Sequence, residues 1–110
     1  MNKKQIVAGV DIGGTNTVYG LVDKTGKVLS DGSFKTTDYP KVEDFVQALA
    51  SAIKKLVAAK KDCELTGVGI GAPDANYHRG TVEHAPNLSW KGIVPLAELV
   101  RKKLNVTVVL

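Results

Sequence analysis

Ile6-Val7-Ala8-Gly9-Val10-Asp11-Ile12-Gly13-Gly14-Thr15-Asn16-Thr17-Val18-Tyr19-Gly20-Leu21-Val22-Asp23 is the stretch that decides the fold. An apolar run over residues 6–10 leads into a Gly-Gly pair, and a β-like run over residues 17–23 leads out. Apolar runs flanking a glycine turn predict a hairpin, not the start of a helix. Two adjacent glycines permit positive φ and leave no Cβ to block a ligand. Backbone N–H groups and the Thr15 hydroxyl can then donate to phosphate oxygens. Asp11 beside them repels bare phosphate but attracts a phosphate-bound Mg²⁺. The stretch is therefore a candidate nucleotide-phosphate and metal site, with Asp11 facing the metal.

Outward from this hairpin, Asp23-Lys24-Thr25-Gly26 reads as a polar turn, and Val28-Leu29 opens a third strand running towards Phe34. The period then changes. Val42, Phe45, Val46, Leu49, Ile53, Leu56 and Val57 recur at three- and four-residue steps, the stripe of an amphipathic helix with Pro40 near its first turn. Polar Asp62 and Glu64 follow, then a short Gly-rich strand, Val68-Gly69-Ile70-Gly71. A turn region holds Asp74, Asn76, Arg79 and Gly80, and a weak strand covers residues 81–84. Pro95 opens a shorter helix carrying Leu96, Leu99, Val100 and Leu104, and Val106-Thr107-Val108-Val109-Leu110 is a buried-type strand. Hairpin strands followed by helix-connected strands predict an α/β layer with a mixed sheet. The last strand runs to the final residue without a polar tail, where termini ordinarily fray. The expectation is a chain cut at a strand end, with a second half to follow.

At 110 residues, with 44% apolar and 24% charged residues, the chain suits one globular domain with its own core. The net charge is +4, but the lysine pairs at 3–4, 54–55, 60–61 and 102–103 are scattered. They predict solvated faces rather than a nucleic-acid patch, and few aromatics are present to stack on single strands. Cys63 is the single cysteine, so no intrachain disulfide can form, which agrees with a reducing cytoplasm. No run approaches the ~20 apolar residues that span a bilayer. Met1-Asn2-Lys3-Lys4-Gln5 and the short run behind it lack the form of a signal peptide. The expected location is the cytoplasm.

Three further groups bear on chemistry. Gly67-Val68-Gly69-Ile70-Gly71-Ala72 matches G-x-G-x-x-A, but that fingerprint must follow a strand and open a helix. Here the glycines lie within the strand and Pro73-Asp74 follow, so a nicotinamide site is rejected. Glycine inside a strand marks close approach of a ligand or another backbone. No G-x-x-x-x-G-K-[ST] occurs, which excludes a P-loop. In Ala85-Pro86-Asn87-Leu88-Ser89-Trp90, Asn87 has the donors and acceptor to grip a sugar hydroxyl, or to form an Asx turn. Trp90 offers an apolar face to a sugar ring, or packs in the core. Asp74 lines a site or forms a turn. His78 and His84 have no metal-type spacing with Cys63.

Taken in order and spacing, Asp11-Ile12-Gly13-Gly14-Thr15-Asn16, then Gly67-Val68-Gly69-Ile70-Gly71-Ala72-Pro73, then Gly80-Thr81-Val82 leading to Ala85-Pro86-Asn87-Leu88-Ser89-Trp90, resemble the N-terminal domain of the ROK family, in particular its glucokinase-like sugar kinases. The first motif is shared with hexokinases and the wider actin-like ATPases. The resemblance covers essentially all 110 residues and implies a ribonuclease-H-like domain paired with a second similar one, ATP and sugar lying between them. It implies that the Asp11 loop, with Gly13, Gly14, Thr15 and Asn16, faces the ATP phosphates and Mg²⁺. It also implies that Asn87 contacts a hexose and that the loop at Asp74, Ala75 and Asn76 approaches it. Many members carry Gly where Asp74 stands. In the family, the strand equivalent to residues 106–110 runs into an Asn-Asp pair whose Asp is the catalytic base. No catalytic base is therefore expected within this chain; it is expected just after Leu110. A homodimer is implied for the full-length protein. The alternative is a ROK-type sugar-responsive transcriptional regulator, whose helix-turn-helix would have to precede a phosphate motif that begins at residue 11.

Overall fold

A computed structural model describes residues 3–110 of the chain, so Met1 and Asn2 of the Met1-to-Gln5 segment lie outside the described residues. Eight strands, two α-helices and a 3₁₀ turn follow in order: β1 Lys4–Ile12, β2 Asn16–Val22, β3 Val28–Lys35, the 3₁₀ turn Thr36–Asp38, α1 Val42–Ala58, β4 Cys63–Gly71, β5 Ala75–Asn76, β6 Thr81–Glu83, β7 Ile93–Val94, α2 Leu96–Leu104 and β8 Thr107–Val109. The main sheet has the order β3-β2-β1-β4-β8. β1 pairs antiparallel with β2 and parallel with β4, and β4 pairs parallel with β8. The expected mixed sheet is present. A second small sheet, β5-β6-β7, is entirely antiparallel.

Alternation along β1 assigns its two faces. Ile6, Ala8, Val10 and Ile12 point into the core, while Gln5, Val7, Gly9 and Asp11 are exposed. Leu21 of β2 and Val68 and Ile70 of β4 join the inner face. α1 lays Phe45, Val46, Leu49 and Ile53 on it, and α2 adds Leu96 and Val100. Both helices thus lie on one side of the sheet. Phe45 is wholly buried, and burying such a ring contributes about 1.5–3 kcal/mol. Its ring centroid is 4.6 Å from that of Trp90 and 5.5 Å from that of Phe34.

The helix ends follow local chemistry. Glu43 and Asp44 sit in the first turn of α1, where the helix dipole favours negative charge. Pro95 precedes α2 and its carbonyl accepts from Leu99 N–H. Asn105 ends α2 with φ of 56°, the left-handed cap that Asn tolerates.

Some boundaries differ from the sequence expectation. β4 begins at Cys63, not at Val68: Asp62 ends the turn with φ of 60°, but Glu64 is the outward residue of an already formed strand. The register against β1 slips between Ile6–Leu65 and Val7–Gly67, leaving Thr66 as an extra residue. This bulge shifts the inward positions from odd to even, so the alternation that betrays a strand is broken midway. The Thr66 hydroxyl donates to the Ile6 carbonyl across the bulge. Ala75 and Asn76, expected in a turn, form β5, and Ile93 and Val94 form β7; strands this short carry no readable period.

Candidate functional site

β1, β4 and β8 run parallel, so their carboxyl ends share one edge of the sheet. Ligands of open α/β sheets bind at that edge. β1 arrives there with Asp11, whose register partner on β4 is Gly71. A Cβ built on Gly71 would stand 3.7 Å from an Asp11 carboxylate oxygen, so Gly71 leaves the flank of Asp11 open. β8 ends at the same edge, with Val109 opposite Gly69.

The turn between β1 and β2 is Gly13-Gly14-Thr15. Gly13 N–H donates to the Asn16 carbonyl at 2.9 Å and so closes the loop. The Thr15 carbonyl accepts from Thr36 N–H at 2.8 Å. Below it, the buried hydroxyls of Thr17 and Thr36 bond to each other at 2.7 Å. The loop is therefore fastened from beneath, while Asp11, Thr15 and Asn16 stay exposed. The expectation of positive φ is not met: the glycines with positive φ are Gly26, Gly80 and Gly92. Space explains the Gly-Gly pair instead. A Cβ on Gly13 would lie 2.9 Å from the Asn16 carbonyl oxygen, and one on Gly14 would lie 2.7 Å from the Asn87 carbonyl oxygen.

That last contact joins two groups far apart in sequence. Asn87 is exposed, yet Ala85, Leu88 and Trp90 on either side of it are buried. Trp90 is core, packed on Phe45, with its indole N–H donating to the Tyr39 carbonyl at 3.4 Å. The segment is thus nailed to α1 and presents Asn87 against the Gly14 loop.

Asp74 lies three residues beyond Gly71, within about 11 Å of it by chain reach. It is exposed, with φ of 54°, and its carbonyl accepts from Glu83 N–H. Ala75 is exposed on β5. The Asn76 side chain is occupied within its own hairpin: Nδ2 donates to Glu83 and Oδ1 accepts from Arg79 N–H.

Glu83 was not singled out from the sequence. Its carboxylate accepts from the Thr81 hydroxyl at 2.7 Å and lies 3.5 Å from the Arg79 guanidinium. The Thr81 hydrogen bond first, then Arg79, Asn76 and the neighbouring His84, hold its pKa below the ordinary value against partial desolvation. Glu83 so braces the hairpin that carries Asp74, Ala75 and Asn76. A Thr-x-Glu pair facing an Asn was the available signal, but it needs the β5–β6 pairing to be seen.

Among the described residues no three His, Cys, Asp or Glu groups gather to hold a metal alone. The exposed Asp11 carboxylate stands beside the Gly13–Thr15 loop, and Mg²⁺, which keeps several waters and takes its other ligands from phosphates, is compatible with so sparse a protein donor set. No helix of the described residues is long and apolar enough to cross a membrane.

The profile of the ROK family matches residues 7–110. The chain is 40% identical over 105 residues to a glucokinase from Streptomyces coelicolor, covering 94% of this chain and 31% of that protein. It superposes with a TM-score of 0.79 and 34% identity on a ROK family glucokinase from Streptomyces griseus, solved in complex with glucose and AMPPNP, over 96% of this chain and 32% of that one. A ROK family transcriptional regulator, 20% identical, gives a TM-score of 0.76 over 98% of this chain and 28% of the regulator, which shows a shared fold. The chain spans about a third of the length of the relatives it matches.

Proposed function

The chain belongs to the ROK family, with a fold of the actin-like ATPase kind, and on that premise we propose that it is the N-terminal ATP- and sugar-binding domain of an ATP-dependent hexose kinase acting on glucose or a close relative. The observation that carries this is the Gly14–Asn87 contact. It brings the backbone of Asn87, whose exposed side chain has the donors and acceptor for a sugar hydroxyl, against a phosphate-type loop at the carboxyl edge of parallel strands. The glucokinases among the relatives, one of them holding glucose and AMPPNP, support the same reading.

In this proposal Gly13 shapes the loop, Gly14, Thr15 and Asn16 contact the ATP phosphates, and Asp11 would hold Mg²⁺. Mg²⁺ there would neutralise charge on the phosphates. Asn87, with Asp74, Ala75 and Asn76, orients the hexose. The hexose hydroxyl oxygen bonds to the γ-phosphorus as the bond from that phosphorus to the ADP oxygen breaks. Such transfer is mostly positioning and charge stabilisation. The hydroxyl proton needs a carboxylate acceptor, worth roughly 10²–10⁴-fold. Asp11 would be occupied by the metal and phosphates, and membership of the ROK family implies that the base follows the strand equivalent to β8, outside residues 1–110.

A coupled ADP-release assay with Mg-ATP and glucose tests this. The whole protein is expected to turn over, Asp11→Ala to abolish turnover, and residues 1–110 alone to be inactive. Sugar-dependent release of DNA without ADP formation would replace the kinase with a regulator.

A further inference from the structure

At the opposite, amino edge of the sheet, β1 and β4 begin and β2 turns into β3. Lysines far apart in sequence converge there. Lys3 and Lys4 stand at the start of β1, Lys24 and Lys27 in the β2–β3 turn, and Lys60 and Lys61 in the turn between α1 and β4. Lys4 N–H donates to the Asp62 carbonyl at 2.6 Å and so ties the last turn to the first strand. Among the described residues, none of these six lysines forms an ion pair. The C-terminal end of α1 favours cations, which accounts for Lys60 and Lys61 but not for the other four.

Lys3, Lys4 and Lys24 line a cavity of about 380 Å³ together with Gln5, Asp23 and Thr25. That volume is within the range of small-molecule sites. Asp23 is the one acid in the wall, and its own turn engages it. Its Oδ1 accepts from the Thr25 hydroxyl at 2.7 Å, from Thr25 N–H at 2.9 Å and from Lys27 N–H at 3.1 Å. The Thr25 hydroxyl first, against partial desolvation, and then the Lys27 and Thr25 N–H groups hold its pKa below the ordinary value. The lysine ammonium groups therefore keep their donors free. Three ammonium groups beside one carboxylate leave an excess of two positive charges. A phosphate monoester, which carries about −1.5 to −2 at pH 7, is the matching anion. The aliphatic stems of the lysines offer an apolar wall to its organic part.

We propose that this cavity binds a small phosphate monoester of the size of a hexose phosphate. Lys3, Lys4 and Lys24 act as point charges on the phosphate, and the Gln5 amide donates beside them. From Lys4 to Asp11 the chain runs seven residues along β1, about 23 Å. The cavity is therefore distinct from the phosphate edge, and the inference does not rest on the kinase chemistry.

The test uses the whole protein, titrated at low salt without ATP or Mg²⁺. Glucose 6-phosphate is expected to shift the backbone amide resonances of Gln5, Thr25 and Gly26, and to do so equally in Asp11→Ala. Lys4→Glu combined with Lys24→Glu is expected to weaken this binding by about tenfold or more. Lys102→Glu with Lys103→Glu, at the end of α2 beside the other side of the sheet, is expected to change it by less than about twofold. Inorganic phosphate is expected to bind more weakly, and vesicles containing phosphatidic acid are expected not to retain the protein. Shifts confined to Gly13, Gly14 and Asn87 overturn the proposal, as do shifts undiminished in the Lys4 and Lys24 variant. Equal affinity for inorganic phosphate, or retention on the vesicles, also overturns it. If the doubly charge-reversed variant does not fold, Lys24→Gln alone, in the exposed turn, repeats the comparison. A lack of turnover in the coupled assay leaves this binding untouched, so the two readings fail separately.

Discussion

At the scale of single residues, Gly14 is the point where the two halves of the proposed site meet. A methyl there would press on the Asn87 carbonyl at 2.7 Å, and neither partner is a flexible side-chain end. Gly14→Ala must separate the loop from the Asn87 segment, at a cost of about 1–3 kcal/mol typical of overpacking. KM for ATP and KM for the hexose are both expected to rise. A lower Tm with both KM values unchanged would reduce the contact to structure alone. Thr17→Val has a different expectation. It strands the buried Thr36 hydroxyl, costing about 1–3 kcal/mol in thermal unfolding, and loosens the strap on Thr15. The sequence singled out the Gly13–Gly14 pair, but the physical reason for glycine there was not legible in it. Positive φ is a local property that a dipeptide suggests, whereas the close approach of Asn87 depends on a partner far along the chain.

At the scale of elements, the periodic segments were legible and the interrupted ones were not. The stripe from Val42 to Val57 is α1 almost to the residue, because burial of one helix face imposes its period directly. β4 was half hidden because the bulge at Thr66 reverses its inward positions, and β5 and β7 are too short to show a pattern. Glu83 was missed for a related reason: its partners converge only once β5 and β6 pair. Its depressed pKa has a pH consequence. A carboxylate whose folded pKa lies below its unfolded value stabilises the fold above the unfolded value of about 4.5. That contribution is lost as pH falls through the folded value. Amide protection at Asn76 and Gly80 is therefore expected to drop as pH falls below about 4.5. Glu83→Gln should flatten this dependence; an unchanged profile would show that another group governs the hairpin.

At the scale of the whole molecule, core and site are continuous. Phe34, Phe45 and Trp90 form one aromatic chain from the sheet through α1 to the segment bearing Asn87. Asn87 itself has no burial to hold it, so its position is inherited from Ala85, Leu88 and Trp90. Trp90→Ala removes the largest of these anchors and is expected to cost about 3–5 kcal/mol. Against the 5–15 kcal/mol of an ordinary domain this leaves a folded but weakened protein. Measured well below its Tm, where the folded fraction stays near one, the variant should show a raised KM for the hexose. KM for ATP should change little, because the Asp11 loop is fastened separately through Thr15, Thr17 and Thr36. This pattern differs from that of Gly14→Ala, which disturbs both sides at once. An equal rise in both constants would mean that the core positions the two halves together. No change in either would remove Asn87 from the hexose site.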